Sequence, residues 1–314
     1  MKKIFVTGAT GYIGQSLAAS LVASHNVIAP VRSRSKQLPS QVVQHPGIDL
    51  RERVDWAPLL EGVDVIVHLA GKAHVVDSVE TGILSEYMEI NCDVPLSLAS
   101  VAADCGVKRF VYISSIRVNG EQSTVPFTES TTVEPADAYA LSKHQAEIQL
   151  QRLSSEKGIE IVIIRPPLVI GPNAPGNVQK IVQWARGNWQ LPLPLGSTGN
   201  RRSLIGLTNL VSFIETCIDH PKAAQQTFLV SDSEDLSTTQ LFRAFAAAFG
   251  KRPFLIPVPA KAMKMLFTLM GRRNIAVRLF GDLQVDSAKA SDLLGWKPET
   301  SFAEQCAEIA QIEA

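Results

Sequence analysis

The chain has 314 residues and carries 30 Lys and Arg against 30 Asp and Glu, so its formal net charge is zero. That balance gives no overall attraction to nucleic acid or an anionic membrane, and 46% hydrophobic against 19% charged residues excludes a disordered polyelectrolyte. The length suits one large α/β domain with a smaller lobe. The opening Met1-Lys2-Lys3 leads into an apolar run that Thr7 and Gly8 break, so no signal-peptide core is expected. No stretch approaches the ~20 apolar residues of a membrane span. The richest, residues 263–270, is interrupted by Lys264 and reads as a core or interface helix. Cys92, Cys105, Cys217 and Cys306 are scattered without a Cys-x-x-Cys pair, which points to reduced thiols in the cytoplasm and to no metal site.

In chain order, Ile4, Phe5 and Val6 form a short apolar run of the kind that makes a buried parallel strand. Gly8, Gly11 and Gly14 follow, overlapping a helical stripe of Ile13, Leu17, Leu21 and Val22. Strand, glycine turn and helix together make a phosphate cradle. Gly8 permits a tight turn, Gly11 lets a pyrophosphate approach the backbone, and Gly14 lets the helix pack on the strand. Residues 26–31 form a second strand, whose end carries Val31-Arg32-Ser33-Arg34-Ser35-Lys36 and no acid. An acid there would bind the adenosine 2′-hydroxyl of NAD, whereas an Arg suits the 2′-phosphate of NADP. Arg32 is placed to stack on adenine or pair with phosphate, so NADP(H) is preferred and NAD(H) stays open. Arg34 and Lys36 either add charge or belong to a solvated loop.

A short strand then precedes Ile48-Asp49-Leu50, a short helix is expected over 54–60, and a strand over 63–69 leads into Ala70-Gly71. Lys72 and His74 lie just past that strand end, where parallel sheets bind ligands; they are candidate pyrophosphate or sugar contacts, or ordinary loop residues. A long helix over 84–105 carries Asn91, and a strand over 110–114 runs into Ser115. A polar loop follows, and Asp137 is placed to cap a helix bearing Tyr139 and Lys143. A sixth strand, 159–165, is stopped by Pro166-Pro167. After Gly171-Pro172, Pro, Gly and Trp scatter through short elements, while 204–210 and 227–230 read as returns to the main domain. The expected architecture is α/β: a doubly wound parallel Rossmann sheet over 1–170, then a smaller mixed α/β lobe, mainly for substrate, over 171–314.

The Gly-x-x-Gly-x-x-Gly spacing, Ser115, and Tyr139 with Lys143 four residues on resemble the extended branch of the short-chain dehydrogenase/reductase superfamily. The resemblance covers essentially the whole chain, down to Gly295-Trp296-Lys297-Pro298. It implies that Gly8, Thr10, Gly11, Tyr12, Ile13 and Gly14 hold a dinucleotide, with Asp49 and Leu50 near adenine. It also implies that Leu69, Ala70, Gly71, Asn91 and Pro166 line the cofactor. Asn91 is otherwise an ordinary helix-face asparagine.

Tyr139 and Lys143 share a helix face. A tyrosine with a reference pKa of ~10 is a poor base at neutral pH, and bringing it to ~7 takes roughly 4 kcal/mol in favour of the phenolate. A desolvated Lys143 ammonium and an oxidised nicotinamide are physically adequate for that. The resemblance implies that Tyr139 exchanges a proton with a sugar hydroxyl, that Lys143 also holds the nicotinamide ribose, and that Ser115 orients the reacting oxygen.

Within this family the chain looks like the nucleotide-sugar epimerases, dehydratases and reductases. Ser114-Ser115-Ile116 lacks the Thr-Asp-Glu-type run of dehydratases, which argues against 4,6-dehydration. Many 4-epimerases have Tyr-Gly where this chain has Asn119-Gly120, and often an Asn where Leu168 stands. The run from Ser114 to Glu121 instead looks like reductases and epimerase relatives of bacterial O-antigen and capsule clusters. Arg202 matches a family arginine that pairs with substrate diphosphate. Lys72, His74, Ser115, Arg117 and Arg278 are the other substrate candidates. The leading expectation is therefore an NADP(H)-preferring 4-keto reductase of a UDP-4-keto-6-deoxy-N-acetylhexosamine, working in surface-polysaccharide synthesis. The alternative is a UDP-glucose or UDP-N-acetylglucosamine 4-epimerase. A non-catalytic dinucleotide sensor is a remote third, because both Tyr139 and Lys143 are present. A homodimer through helices 84–105 and 137–156 is expected by fold analogy.

Overall fold

The computed structural model describes residues 1–73, 81–187 and 192–314. The first apolar run is strand β1 (Lys3–Thr7), with Ile4 to Thr7 buried. The glycine turn leads into helix α1 (Tyr12–Leu21), which buries Gly14, Leu17, Ala18 and Leu21. Strands β2 (Asn26–Pro30), β3 (Val43–His45) and β4 (Val65–His68) follow. Where a helix over 54–60 is expected, only one 3-10 turn forms, Ala57–Leu59. Pro58 lacks the N–H that an α-helical bond back to Val54 requires.

The expected helix over 84–105 is interrupted. Helix α2 (Thr81–Met88) passes through a π-helical segment, Glu89–Asp93, into α3 (Val94–Asp104). Pro95 explains part of this, since it has no N–H to return to the carbonyl of Asn91. The Tyr112 hydroxyl donates to that carbonyl instead, at 2.9 Å. Strand β5 (Arg109–Ile113) supplies Tyr112. Helix α4 (Ala138–Lys157) begins on the expected cap: Asp137 Oδ1 accepts from the Ala140 N–H at 2.7 Å. Gly158, at φ +76°, ends it in the left-handed region. Strand β6 (Glu160–Arg165) follows.

The rest of the chain is β7 (Leu168–Ile170), α5 (Asn177–Arg186), β8 (Arg202–Gly206), α6 (Leu207–Asp219), β9 (Thr227–Leu229) and β10 (Asp235–Leu236). Helices α7 (Thr238–Ala248), α8 (Ala260–Leu269), α9 (Arg273–Phe280), α10 (Ala288–Leu294) and α11 (Phe302–Glu313) complete it.

Seven strands form one sheet in the order β3-β2-β1-β4-β5-β6-β9, and every neighbouring pair is parallel. The pleat sorts side chains to two faces. Ile4 and Val6 pack with Leu17 of α1 and Phe213 of α6, whereas Phe5 packs with Leu98 of α3 and Leu150 of α4. Each such fully buried side chain contributes ~1.5–3 kcal/mol relative to exposure. This is the expected doubly wound α/β sheet. The chain reverses direction across the sheet between β1 and β4, so the ligand crevice lies at their C-terminal ends. A second sheet, β10-β8-β7, is mixed. Residues 204–210 thus begin in the second sheet and continue into α6 on the main core, while β9 becomes the seventh main strand. Trp296 is buried against Phe213, with ring centroids 4.9 Å apart. Among the described residues, no helix is long and apolar enough to cross a membrane, and no cluster of potential ligands could hold a metal ion.

Candidate active site

The three glycines of the first turn have different jobs. Gly8 sits at φ +69°, and a Cβ there would lie 2.7 Å from the Ala70 nitrogen. A Cβ on Gly14 would overlap the carbonyl oxygen of Gly8. Both positions are demanded by packing of the turn on itself and on the end of β4. Gly11 is different: its Cβ would approach only the Gly8 oxygen, at 3.1 Å. No side chain caps α1 at Gly11, and its first turn has no acid. An open backbone and a positive helix end fit a dinucleotide pyrophosphate. Tyr12 and Ile13 place their backbone in the first turn of this helix. The Tyr12 hydroxyl lies elsewhere, buried without a hydrogen-bond partner, and a Cβ on Gly171 would lie 2.7 Å from it.

The second loop, Leu69-Ala70-Gly71, is clamped by Asn91. The Lys72 N–H donates to Asn91 Oδ1 at 2.8 Å, and Asn91 Nδ2 donates to the Lys72 carbonyl at 3.1 Å and to Ser142 Oγ at 3.0 Å. Asn91 is fully buried within the π-helical segment. The irregular turn therefore aims one amide at the loop after β4 and at α4 together. A Cβ on Gly71 would sit 2.9 Å from Asn91 Oδ1 and 3.4 Å from Lys143 Nζ, so this loop lies directly against the lysine.

Ser115, Tyr139 and Lys143 converge where β5 meets α4. Ser115 has an extended backbone, and its Oγ accepts from the Arg117 N–H at 3.2 Å, starting the 3-10 turn Ile116–Val118. Tyr139 is oriented by an edge contact with Tyr87, with centroids 6.3 Å apart. Lys143 is buried, donates to the Ile113 carbonyl at 2.9 Å and rests 4.5 Å over the Tyr112 ring. Desolvation lowers its pKa to about 8, against a smaller opposing effect of Glu147.

In the chain by itself the tyrosine is not depressed. Burial raises the Tyr139 pKa above its ordinary value, and the hydrogen bond to Ser115 and the charge of Arg117 only partly offset it. The chain by itself therefore keeps Tyr139 protonated at neutral pH. Arg117, expected at the sugar, is paired within the protein. Its guanidinium pairs with Asp137, the α4 cap, and with Glu121 at 3.0 Å. It is a charge set beside Tyr139 and a tether for the start of α4.

Sequence reasoning missed the support under this site. Glu147, one turn after Lys143, makes a bidentate pair with Arg165 at 3.0 and 2.6 Å. Arg165 also donates to Asn119 Oδ1 at 3.0 Å. All three are buried. The pair joins α4 to β6, and Asn119 ties in the loop after Ser115. The one available signal was Glu147 at i+4 from Lys143, on the same helix face.

The remaining candidates spread outward. Arg32 is exposed past the end of β2. Asp49 is held by Arg51, through Nε at 3.1 Å and Nη2 at 2.5 Å, and that hydrogen bonding lowers its carboxyl to about 2. Leu50 packs on the core under the sheet. The Pro166 carbonyl accepts from the Ile116 N–H at 3.0 Å, fixing the wall beside Ser115. Lys72 pairs with Glu86 and lies 5.1 Å over the Tyr87 ring. Arg202 donates to the Gly281 carbonyl at 3.1 Å; burial lowers its pKa, Asp282 opposes that, and Arg278 is near enough to lower it further. His74 lies outside the described residues.

Residues 4–231 match the family model described as the NAD dependent epimerase/dehydratase family. The chain belongs to this family. It is 41% identical over 313 residues to a UDP-glucose 4-epimerase of Vibrio cholerae, covering 99% of this chain and 95% of that protein. It is 26% identical over 252 residues to the N-acetyl-alpha-D-glucosaminyl-diphospho-ditrans,octacis-undecaprenol 4-epimerase of Escherichia coli O157:H7, covering 79% and 73% of the two chains. Among solved structures it resembles the UDP-N-acetylglucosamine 4-epimerase of Bacillus cereus, with a TM-score of 0.80, 22% identity and 99% and 96% coverage; at that identity the likeness shows the fold. This epimerase/dehydratase member is therefore a dinucleotide-binding enzyme of the short-chain dehydrogenase/reductase type.

Proposed function

We propose that this enzyme is a UDP-sugar 4-epimerase. The observation that carries the reading is the 41% identity, across nearly the whole chain, with the UDP-glucose 4-epimerase of Vibrio cholerae. It displaces the 4-keto reductase that the sequence motifs put first. In this reading Ser115 donates to or accepts from the 4-oxygen of the sugar and Tyr139 exchanges the proton on that oxygen. Lys143 holds the nicotinamide ribose while its ammonium stays fixed by the Ile113 carbonyl and the Tyr112 ring. Arg202 and Arg278 take the diphosphate. The bound dinucleotide supplies the hydride acceptor and donor at C4. Because the protein alone leaves Tyr139 protonated, its base form depends on positive charge brought by the oxidised cofactor, which ties proton removal to the productive complex.

The reductase reading is kept for one observation. The exposed Arg32, Arg34 and no acid at the end of β2 favour a 2′-phosphate, and NADP(H) is the cofactor a reductase would exchange every turnover. One experiment separates the two. Purified protein is incubated with UDP-glucose and UDP-N-acetylglucosamine and followed by NMR, and the cofactor released on denaturation is identified. Interconversion at C4 without net cofactor consumption supports the epimerase. Stoichiometric NADPH oxidation with a UDP-4-keto-6-deoxy-N-acetylhexosamine, and no interconversion, would replace it with the reductase.

A further inference from the structure

The zero net charge of the chain hides a local imbalance. Every charged residue from Lys251 to Phe280 is a Lys or an Arg. This segment contains α8 and α9, which pack against each other. Its inner side is anchored, with Met263, Ala276 and Phe280 buried beside Leu195 and Phe242. The outer side of α8 is not polar, as a solvent-facing side ordinarily is. Met265, Leu266 and Leu269 are 66%, 49% and 75% exposed. With Ala262 they recur at i, i+3, i+4 and i+7, which makes one continuous stripe. Met270, 55% exposed, extends it past the helix end. The exposed Lys261 borders it, the exposed Lys264 lies further round the same side of the helix, and the exposed Arg272 and Arg273 close its C-terminal end.

We propose that this outer face of α8 docks the enzyme on an anionic lipid surface. Apolar side chains of this stripe enter the headgroup–acyl boundary while the flanking lysines and arginines reach the lipid phosphates. The charge pattern chooses the occupant. A second copy docked face to face would set the same cations against one another, with no acid in the segment to relieve them. An anionic bilayer meets both the apolar stripe and its cationic border. The segment also carries Arg278, which acts on Arg202, so the lobe with the candidate diphosphate arginines is the one held at the lipid. The proposal goes beyond the epimerase reading and does not depend on which sugar is turned over.

The test is flotation of the full chain with vesicles of phosphatidylethanolamine and phosphatidylglycerol, against phosphatidylcholine alone. The protein is expected to float with the anionic vesicles at low salt and to be released as salt rises. Met265→Ser with Leu269→Ser, and separately Lys261→Glu with Lys264→Glu, should each weaken binding roughly tenfold or more. Both double variants should keep their circular dichroism and their turnover of a soluble nucleotide sugar. Wild-type protein that stays unbound, or that floats equally with phosphatidylcholine, overturns the proposal. So does a wild-type dimer that ignores vesicles and is split by the Met265→Ser, Leu269→Ser pair, which would make the face a self-interface.

Discussion

Lys143→Met should make the protein more stable at neutral pH while removing its activity. The Lys143 ammonium is buried, and desolvation lowers its pKa from 10.5 to about 8. At 1.36 kcal/mol per unit that shift corresponds to roughly 3 kcal/mol by which the folded state disfavours the charged form. Methionine fills similar volume without the charge. It forfeits the bond to the Ile113 carbonyl and the contact with the Tyr112 ring, roughly 1–2 kcal/mol together. A net gain of roughly 1–2 kcal/mol remains. The pH dependence is the sharper test. Below pH 8 Lys143 is charged in both states and its full cost applies. Between about 8 and 10.5 the folded state releases its proton before the unfolded state does, so wild-type stability rises relative to the variant. Above that window the cost is gone. Urea unfolding of both proteins from pH 7 to pH 10 measures the difference directly. A flat difference across that range, or a variant more than about 2 kcal/mol less stable than wild type at pH 7, would refute the reasoning.

Tyr139→Phe should lower turnover by roughly 10²–10⁴ while dinucleotide affinity, read by fluorescence titration, stays near wild type; unchanged turnover would remove Tyr139 from the chemistry. Gly14→Ala should destabilise the fold strongly, because its Cβ overlaps the Gly8 carbonyl, whereas Gly11→Ala, whose Cβ meets only the Gly8 oxygen at 3.1 Å, should lower the melting temperature much less but weaken dinucleotide binding. Calorimetry on the pair would contradict this if the two losses were alike. Arg165→Met strips the buried Glu147 carboxylate of its guanidinium and should cost about 3–5 kcal/mol in urea unfolding. Replacing Glu147 by Met in the same chain should recover much of that loss, and no recovery would mean that Arg165 acts through something other than the pair.

Much of this protein was legible from its chain because the deciding features are local. A strand, three glycines and a helix follow one another within fourteen residues; Gly11 and Gly14 pack on Gly8 and Ala9 of the same turn, while Gly8 answers to Leu69 and Ala70 at the end of β4. Tyr139 and Lys143 share a face because helical periodicity alone puts them there. The parallel order of the sheet likewise follows from alternating strands and helices with a right-handed connection. The environment of those residues was not local. Whether Tyr139 is a ready base depends on burial and on Arg117, which arrives from a separate loop. The ring beneath Lys143 belongs to β5, the carboxylate beyond it pairs with β6, and the clamp on the Lys72 backbone comes from a turn that Pro95 makes irregular. Composition likewise shows balanced charge, and only the folded α8 shows its cations bordering an exposed apolar stripe. The chain determines which groups carry chemistry through spacing of a few residues. Their protonation, orientation and exposure depend on desolvation and on contacts across the sheet, and those exist only once distant strands have met.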